Sequence, residues 1–282
     1  MPMNSDNLLL KAFRVLRRAS GSRFLLALLV IITLCGCGQR HALSGKAEPR
    51  CFVSYNIRNG IGMDEKRDLQ RIADVLNGCK ADVVAVQEID SMTARSGGID
   101  VLGNLASLTG MIPLYAPAID FDGGKYGVGI LCREKPLSVF RTPLPGREEQ
   151  RVLIAAEFRD FVFACTHLSL TEEDRMLSLP ILKQTAERIP EKPFFLAGDF
   201  NAEPSEPFIQ QMTEDFTILT DTTVRTYPAD NPDITIDYLV SFKGSSAASR
   251  VRVAGSPLLP ETLTPVASDH RPIALTINLT HK

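Results

Sequence analysis

The sequence of 282 residues contains no tryptophan and no excess of basic residues, with 31 Lys and Arg against 33 Asp and Glu. A missing tryptophan removes one residue type that commonly stacks on nucleobases or sits at membrane interfaces. Proteins that hold polyanions through many phosphate contacts usually carry a basic stripe, and the sequence shows none. The composition therefore argues against a protein that binds nucleic acid nonspecifically through many phosphate contacts.

Apolar runs long enough to span a membrane are also lacking. Residues 24–34 carry no charge, but they are shorter than the roughly 20 residues that cross a bilayer as a helix. Five basic residues and one acidic residue precede this run, which is the layout of a signal peptide over residues 1–37. The stretch from Leu34 to Cys37 resembles the lipobox of bacterial lipoproteins, with Cys37 as the acylated residue. Ordinary signal cleavage nearby and an uncleaved anchor remain alternatives.

The sequence predicts three parts: the signal peptide, a small and polar tether at residues 38–49, and one domain at residues 50–282. Removing residues 1–37 takes five basic and one acidic residue from totals of 31 and 33, leaving 26 and 32 and a charge of −6. We expect an exported monomer, anchored to a bacterial cell-envelope membrane through lipid on Cys37 or else secreted.

The six cysteines show no spacing typical of a metal site. Cys35 leaves with the signal peptide and Cys37 is the lipid acceptor, so four cysteines remain in the domain. Three of the four lie in apolar runs, which favours core thiols. One or two disulfides stay open, since sequence alone cannot pair four cysteines. The four are Cys51, Cys79, Cys132 and Cys165.

Hydrophobic periodicity predicts strands alternating with helices. Helices are predicted at residues 68–77, from Val101 to Gly110, after Thr171 and after Ser205. Thr171 with Asp174 resembles a capping box, and Pro180 is expected to kink or split the helix that follows. This order predicts an α/β (α+β) domain of two packed sheets covered by helices. Strands are predicted at residues 51–55, 82–86, 113–117, 127–132, 137–141, 152–158, 161–165, 193–197, 236–240, near 251, and at 272–279.

The apolar strand predicted at residues 193–197 runs into Gly198, Asp199 and Asn201. Gly198 is expected to let the backbone turn so that a carboxylate and a carboxamide emerge together from the strand end. We interpret this tip as a site for a phosphate group beside a divalent cation. An ordinary turn is the alternative, because Asp and Asn favour turns.

Other apolar runs end in the same kind of polar group. Carboxylate and carboxamide oxygens suit magnesium, so Glu88 is the predicted principal metal ligand; the alternative is a surface glutamate. Asp237 lies on an apolar strand and needs a partner, which His270 would supply in a hydrogen bond that fixes its tautomer. The groups, in chain order, are Asn56, Glu88, His167, Asp199, Asn201, Asp237, Asp269 and His270.

Taken in order, these motifs resemble those of the endonuclease/exonuclease/phosphatase superfamily, and the resemblance covers nearly all of residues 50–282. It implies a four-layer αββα sandwich, with two mixed β-sheets face to face and helices outside, as in the deoxyribonuclease-I-like fold. It also implies phosphoester hydrolysis that depends on Mg²⁺ or Mn²⁺. The motifs are Asn56; Gln87 and Glu88; Tyr126 and Gly127; Thr166, His167 and Leu168; Gly198, Asp199, Phe200 and Asn201; Ile236, Asp237 and Tyr238; and Ser268, Asp269 and His270.

The resemblance also implies roles for individual residues. Glu88 is similar to the main metal ligand of the family, with Asn56 beside it and Asp269 within reach of the metal. Asp199 is similar to the residue that orients or deprotonates the attacking water. The other implied roles are a phosphate donor or metal neighbour at Asn201, a phosphate contact at Tyr126, two histidines flanking the phosphate at His167 and His270, and the residue that orients His270 at Asp237.

The resulting expectation is an exported, metal-dependent hydrolase of a phosphodiester or phosphomonoester that works by in-line attack of water. Two alternatives remain: a secreted nuclease, and a surface-tethered binding protein that has lost catalysis. Loops at residues 121–125 and 225–228 are candidates for a rim that selects the substrate. The shared motifs indicate the reaction and leave the leaving group open.

Overall fold

The structure is a computed structural model that describes residues 49–280, in which it contains twelve β-strands and four α-helices. The predicted signal peptide, the lipid acceptor Cys37 and all but the last residue of the predicted tether lie outside the described residues. None of the helices in the described part is long and apolar enough to cross a membrane.

Six strands form the first sheet, in the order β11-β12-β1-β2-β4-β3. The last strand of the chain, β12, pairs with the first, β1, in antiparallel register, with Ser54 opposite Ile273. The bounds are β1 Arg50–Asn56, β2 Val83–Ser91, β3 Ile112–Phe121, β4 Gly124–Cys132, β11 Val251–Gly255 and β12 Ile273–Leu279.

The second sheet also has six strands, in the order β5-β6-β7-β8-β10-β9. Both sheets are mixed, because each contains one parallel pair, β1 with β2 and β7 with β8, among antiparallel neighbours. The short edge strand β9 is absent from the prediction. The bounds are β5 Ser138–Leu144, β6 Arg151–Glu157, β7 Val162–His167, β8 Phe194–Asp199, β9 Phe216–Ile218 and β10 Asp237–Phe242.

Helices α1 (Leu69–Gly78) and α2 (Val101–Thr109) pack on the first sheet, and α3 (Glu172–Ala186) and α4 (Pro207–Asp215) pack on the second. Asp68 and Asp100 cap the first two helices, since each side chain accepts a backbone N–H one turn later. Gly110 ends α2 with φ +67°, a left-handed geometry that glycine adopts without strain.

The alternation of side chains along the central strands explains the layering. In β1, Phe52 points into the core between the sheets, whereas Val53 and Tyr55 point into the core beneath α1 and α2. In β8, Phe195 lies between the sheets and Leu196 faces the second helical layer. Strands buried on both faces read as continuous apolar runs. The predicted four-layer αββα sandwich is therefore confirmed.

The predicted capping box of α3 is wrong, and of the two alternatives predicted at Pro180 the split does not occur. Thr171 is the N-cap residue, but its side chain makes no capping bond, and Asp174 binds Arg147 instead. The helix is also continuous through Pro180 and is not split. Pro180 lies on the exposed face of the helix, where water can bond to the carbonyl that loses its N–H partner.

The four cysteines of the domain are buried free thiols, as the preferred interpretation predicted. Burial raises the pKa of the Cys165 thiol to about 12, even though Gln87 donates a hydrogen bond to its sulfur at 3.4 Å. This thiol is therefore protonated at physiological pH and serves as a small apolar core residue.

Candidate active site

The polar strand ends meet in one cavity. The parallel pairs β1 with β2 and β7 with β8 bring Asn56, His167 and Asp199 to strand ends, and Asp237 lies directly opposite Asp199 in the antiparallel β10. All nine predicted site residues come together: seven line the cavity, and Asn56 and Asp237 bond to lining residues. The seven are Glu88, Tyr126, His167, Asp199, Asn201, Asp269 and His270.

Glu88 lies inside β2, not after its end as predicted. The register between β2 and β4 shifts between Val86 and Ile89, and Glu88 occupies a left-handed backbone conformation with φ +58°. Such a conformation is unfavourable for glutamate, and β-bulges of this kind often re-aim a side chain beside a functional site. The bulge places the Glu88 carboxylate in the cavity.

Asp199 is the centre of the site and is 1% exposed. Its Oδ2 atom lies 3.1 Å from Nδ2 of Asn56, 3.5 Å from Nε2 of His167 and 3.6 Å from Nε2 of His270. Oδ1 accepts the backbone N–H of Asn201 at 2.9 Å. One carboxylate thus lies between two imidazoles, held by an amide from the opposite sheet.

His270 forms a buried pair with Asp237, whose Oδ2 lies 2.9 Å from Nδ1. Burial lowers the pKa of His270, but the charges of Asp237 and Asp199 outweigh burial and raise the pKa to about 10. The Asp237 bond also fixes the ring orientation and directs Nε2 at Asp199. His270 is therefore protonated at neutral pH in the metal-free site.

His167 has the opposite protonation state. Burial lowers its pKa to about 4, although Asp199 opposes this effect, and no carboxylate in the described chain makes a close bond to its ring comparable to that of Asp237 with His270. His167 is therefore neutral at physiological pH. The Asp199 carboxylate therefore lies beside one neutral imidazole, that of His167, and one cationic imidazole, that of His270.

This difference predicts how acid affects the stability of the metal-free chain. The folded pKa of His167, about 4, is below its ordinary value of 6.5, so the unfolded chain binds the proton first as the pH falls. The contribution of His167 is present above pH 6.5 and is lost towards pH 4, up to about 3 kcal/mol. We expect His167→Gln to remove this acid-dependent loss in denaturant titrations performed with a chelator.

His270→Gln is the control, because the contribution of His270 to stability has the opposite dependence on pH. The raised pKa of His270 gives a contribution that is present below pH 6.5 and lost as the pH rises through about 10. In that variant the slope of stability against pH should change between pH 6.5 and 10, and the slope between pH 6.5 and 4 should match that of the parent chain. If parent and His167→Gln lose stability equally between pH 6.5 and 4, the neutral state of His167 is wrong.

The donor set on the other side of the cavity fits a divalent cation. Burial raises the pKa of Glu88, and the charges of Asp269 and Asp199 raise it further. Carboxylates that repel one another in this way become stable as anions when a cation lies among them. Asn56 donates its Nδ2 hydrogens to Glu88 at 2.9 Å, while its Oδ1 accepts the N–H of Arg58. In this orientation Asn56 orders Glu88, and Glu88 and Asp269 are the two carboxylates that could hold a cation on this side.

A second group of residues also has ligand-like spacing. Asp199, Asp237 and His270 offer atoms within 4.8 Å of one another. A cation bound there would compete with the hydrogen bond between Asp237 and Nδ1 of His270. Both groups could therefore hold a cation, but only Glu88 and Asp269 could do so with the bond between Asp237 and His270 intact.

The turn after β8 differs from the prediction. Gly198 lies within the strand, and a Cβ atom there would come 2.1 Å from the backbone oxygen of Thr166. Close strand packing, and not a turn, is the reason for glycine at this position. The turn residue is Asn201, with φ +48°, and its Nδ2 donates to the carbonyl of Leu168 at 2.9 Å.

The aromatic side chains predicted near the rim occupy different places. Tyr126 and Tyr227 line the cavity, and the Tyr227 ring lies 4.8 Å from that of His270. Phe121 lies against Arg95, whose guanidinium carbon is 4.4 Å from its ring centre and 5.3 Å from that of Tyr126. The loop at residues 225–228 therefore reaches the cavity, whereas residues 121–125 line a separate pocket with Ser91 and Met92.

Sequence reasoning missed the acidic part of the lining. Arg151 is a buried residue at the start of β6, where its guanidinium bonds to Glu148 at 3.1 Å and to Glu149 at 3.0 Å. Glu149, Arg151, Glu203 and Glu206 line the cavity beside His167 and Asn201. These residues occupy charged surface-type stretches with no motif, so only the fold reveals their position.

Comparisons with known proteins agree with this fold. A family model described as "Endonuclease/Exonuclease/phosphatase family" matches residues 53–270. An endonuclease/exonuclease/phosphatase structure from Bacteroides vulgatus is 18% identical with a TM-score of 0.65 and covers 83% of this chain and 100% of its own. No curated protein matches the sequence.

Two further solved structures carry names that describe an activity or a domain. The human Nocturnin catalytic domain with bound sulfate is 19% identical, with a TM-score of 0.61 over 82% of this chain and 95% of that one. A mannosyl-6-phosphatase from Bacteroides thetaiotaomicron is 16% identical, with a TM-score of 0.61 over 81% and 99%. Identities this low establish the shared fold and leave the substrate open.

Proposed function

Because this chain belongs to the endonuclease/exonuclease/phosphatase family, whose members hydrolyse phosphoesters, we propose that it is a divalent-metal-dependent phosphoesterase. The observation that carries the proposal is the Asp199 carboxylate, which lies 3.5 Å and 3.6 Å from two imidazoles of opposite protonation state. A buried base between a neutral and a cationic histidine suits attack by water on phosphorus.

The roles follow from charge and geometry. Asp199 accepts a proton from the attacking water, since it is an acceptor held in place by Asn56 and by the backbone N–H of Asn201. His270 is protonated and directs an N–H into the cavity, where it can stabilise the charge that develops on phosphate oxygens. Asp237 keeps His270 protonated and oriented. His167, being neutral, adds no positive charge and can accept or donate one hydrogen bond.

Glu88 and Asp269 would hold the cation, with Asn56 beside Glu88. When bound, Mg²⁺ or Mn²⁺ supplies positive charge to the phosphate oxygens. Glu88 also contributes through its position, because the bulge in β2 fixes its carboxylate on the first sheet, whereas Asp237 lies on the second.

Hydrolysis of p-nitrophenyl phosphate and bis(p-nitrophenyl) phosphate by the full chain tests the proposal. We expect nitrophenol release with Mg²⁺ or Mn²⁺, a return to background with a chelator, and a loss of about 10²–10⁴-fold in Asp199→Ala. Asp74→Ala, an exposed carboxylate on α1, is the control and should retain the parent rate.

Release that persists in the chelator, or at the parent rate in Asp199→Ala, would contradict the proposed site. The absence of release from both compounds and from DNA, RNA and inositol phosphates would support the alternative of an inactive binding protein. Faster cleavage of DNA or RNA than of the nitrophenyl esters would identify a nuclease.

A further inference from the structure

The cavity that contains Asp199 extends beyond the residues assigned to catalysis. Its volume is about 480 Å³, within the range of small-molecule sites. The extension, which we call the acidic arm, is formed by Glu149, Arg151, Glu203 and Glu206 on the His167 side. The lining also includes Ile234, Ile236 and Tyr227, whose ring lies 4.8 Å from that of His270. A substrate with its phosphate at Asp199 would place its alcohol portion against the acidic arm.

The acidic arm offers no free positive charge to a ligand. Arg151 is the only Lys or Arg side chain that lines the cavity in the described chain, and Glu148 and Glu149 neutralise it at 3.1 Å and 3.0 Å. Arg175 is buried and pairs with Glu206. Glu203 has no ion pair with any residue from 49 to 280. Carboxylates therefore outnumber guanidinium groups in and directly behind the arm.

The segment that carries Glu149 and Arg151 is held by bonds from Glu148 to residues 169 and 170. Glu148 accepts hydrogen bonds from Ser169 Oγ and from the backbone N–H of Leu170, both at 2.7 Å. Burial opposes ionisation, but these bonds and Arg151 lower the pKa of Glu148 to about 2. Arg175 donates to the carbonyls of Ser169 and Leu170.

A fixed acidic arm discriminates between alcohol portions by charge. A second phosphate, whether on a sugar or in the next nucleotide of a chain, would face carboxylates without a compensating cation. Carboxylate oxygens only accept hydrogen bonds, so a group rich in hydroxyl donors matches them. The volume and the apolar wall at Tyr227 and Ile236 also fit a small compact ring.

Resting on the proposed phosphoesterase function, we propose that the substrate carries a single phosphate on a small, neutral, polyhydroxylated alcohol of the sugar phosphate class. Hydrolysis breaks the bond between phosphorus and the sugar oxygen and forms one between phosphorus and the water oxygen. One proton of the water passes to the departing alcohol and inorganic phosphate is released. Glu203 is the specificity-determining residue, because it is the carboxylate of the arm without a cationic partner among the described residues.

The test compares kcat/KM of the metal-loaded full chain on glucose 6-phosphate, glucose 1,6-bisphosphate, phosphocholine and a short single-stranded DNA. We expect glucose 6-phosphate to exceed the bisphosphate by about tenfold or more. Glu203→Lys should reverse this preference by placing a cation in the arm. Glu261→Lys, the same charge change at an exposed turn residue outside the cavity, should leave the ratio at the parent value.

Each outcome decides the matter. Preference for the bisphosphate or DNA, or a ratio that Glu203→Lys leaves unchanged, would overturn the inference, and preference for phosphocholine would replace the neutral alcohol with a cationic one. Hydrolysis of the nitrophenyl esters without hydrolysis of glucose 6-phosphate would reject the substrate class and leave the phosphoesterase function standing. Failure on all phosphoesters would reject both.

Discussion

His270→Ala lowers kcat by about 10²–10⁴-fold, the range expected when a group that handles protons or charge in the transition state is removed. His270 is the cationic imidazole, held by Asp237 at 2.9 Å and directed at Asp199. Alanine removes the positive charge beside the phosphate and leaves Asp237 buried without its partner. The measurement is kcat for p-nitrophenyl phosphate at saturating Mg²⁺, with circular dichroism to confirm the fold.

Two companion variants separate chemistry from packing. His270→Gln preserves most of the side-chain volume and should lose turnover to a similar extent, so a folding defect in the alanine variant does not decide the outcome. Asp237→Asn keeps the shape of the pair, but should lower the pKa of His270 measured by NMR. A pure, metal-loaded His270→Ala chain with near-normal turnover would show that His270 has no catalytic role.

Glu88→Gln should abolish metal dependence by weakening Mg²⁺ or Mn²⁺ binding more than about 100-fold, since even the loss of an outer partner of a metal ligand costs 10–100-fold. Burial and the nearby acids raise the pKa of Glu88, so a neutral glutamine is well tolerated without metal. The metal-free variant should therefore unfold at or above the parent temperature, while the rise in Tm with added metal disappears.

Glu203→Gln provides the matched control, because it removes a carboxylate from the same cavity without touching Glu88 or Asp269. Its Tm should rise with Mg²⁺ as in the parent chain. A Glu88→Gln chain whose Tm still rises with the parent midpoint would place the cation elsewhere. Asp199, Asp237 and His270 would then be the next ligand set to consider.

Much of the fold and site could be predicted from sequence because the strong patterns were local. Strands buried on both faces, such as β1 and β8, appear as unbroken apolar runs, and Asp68 and Gly110 mark helix ends through their own backbone chemistry. The order of the motifs, through the family resemblance, then predicted that Asn56, Asp199 and His270 lie in one site, although they are distant in sequence.

The remaining features depend on contacts that no local pattern contains. The position of Glu88 follows from a register shift between β2 and β4, and that of Gly198 from the approach of Thr166 in β7. Pro180 is tolerated because its side of α3 is exposed. Arg151 and Glu203 lie in stretches that look like ordinary surface in the sequence, and the pairing of β6, β7 and β8 within the second sheet brings them to one cavity.

The pairing of the final strand with the first has a consequence during synthesis. β12 inserts between β11 and β1, and His270 lies just before it, so His270 reaches Asn56 only after the other candidate site residues have been synthesised. A nascent or truncated chain can hold Glu88 and Asp199 yet lack the cationic imidazole. The proposed site therefore becomes complete only when β12 takes its place in the first sheet.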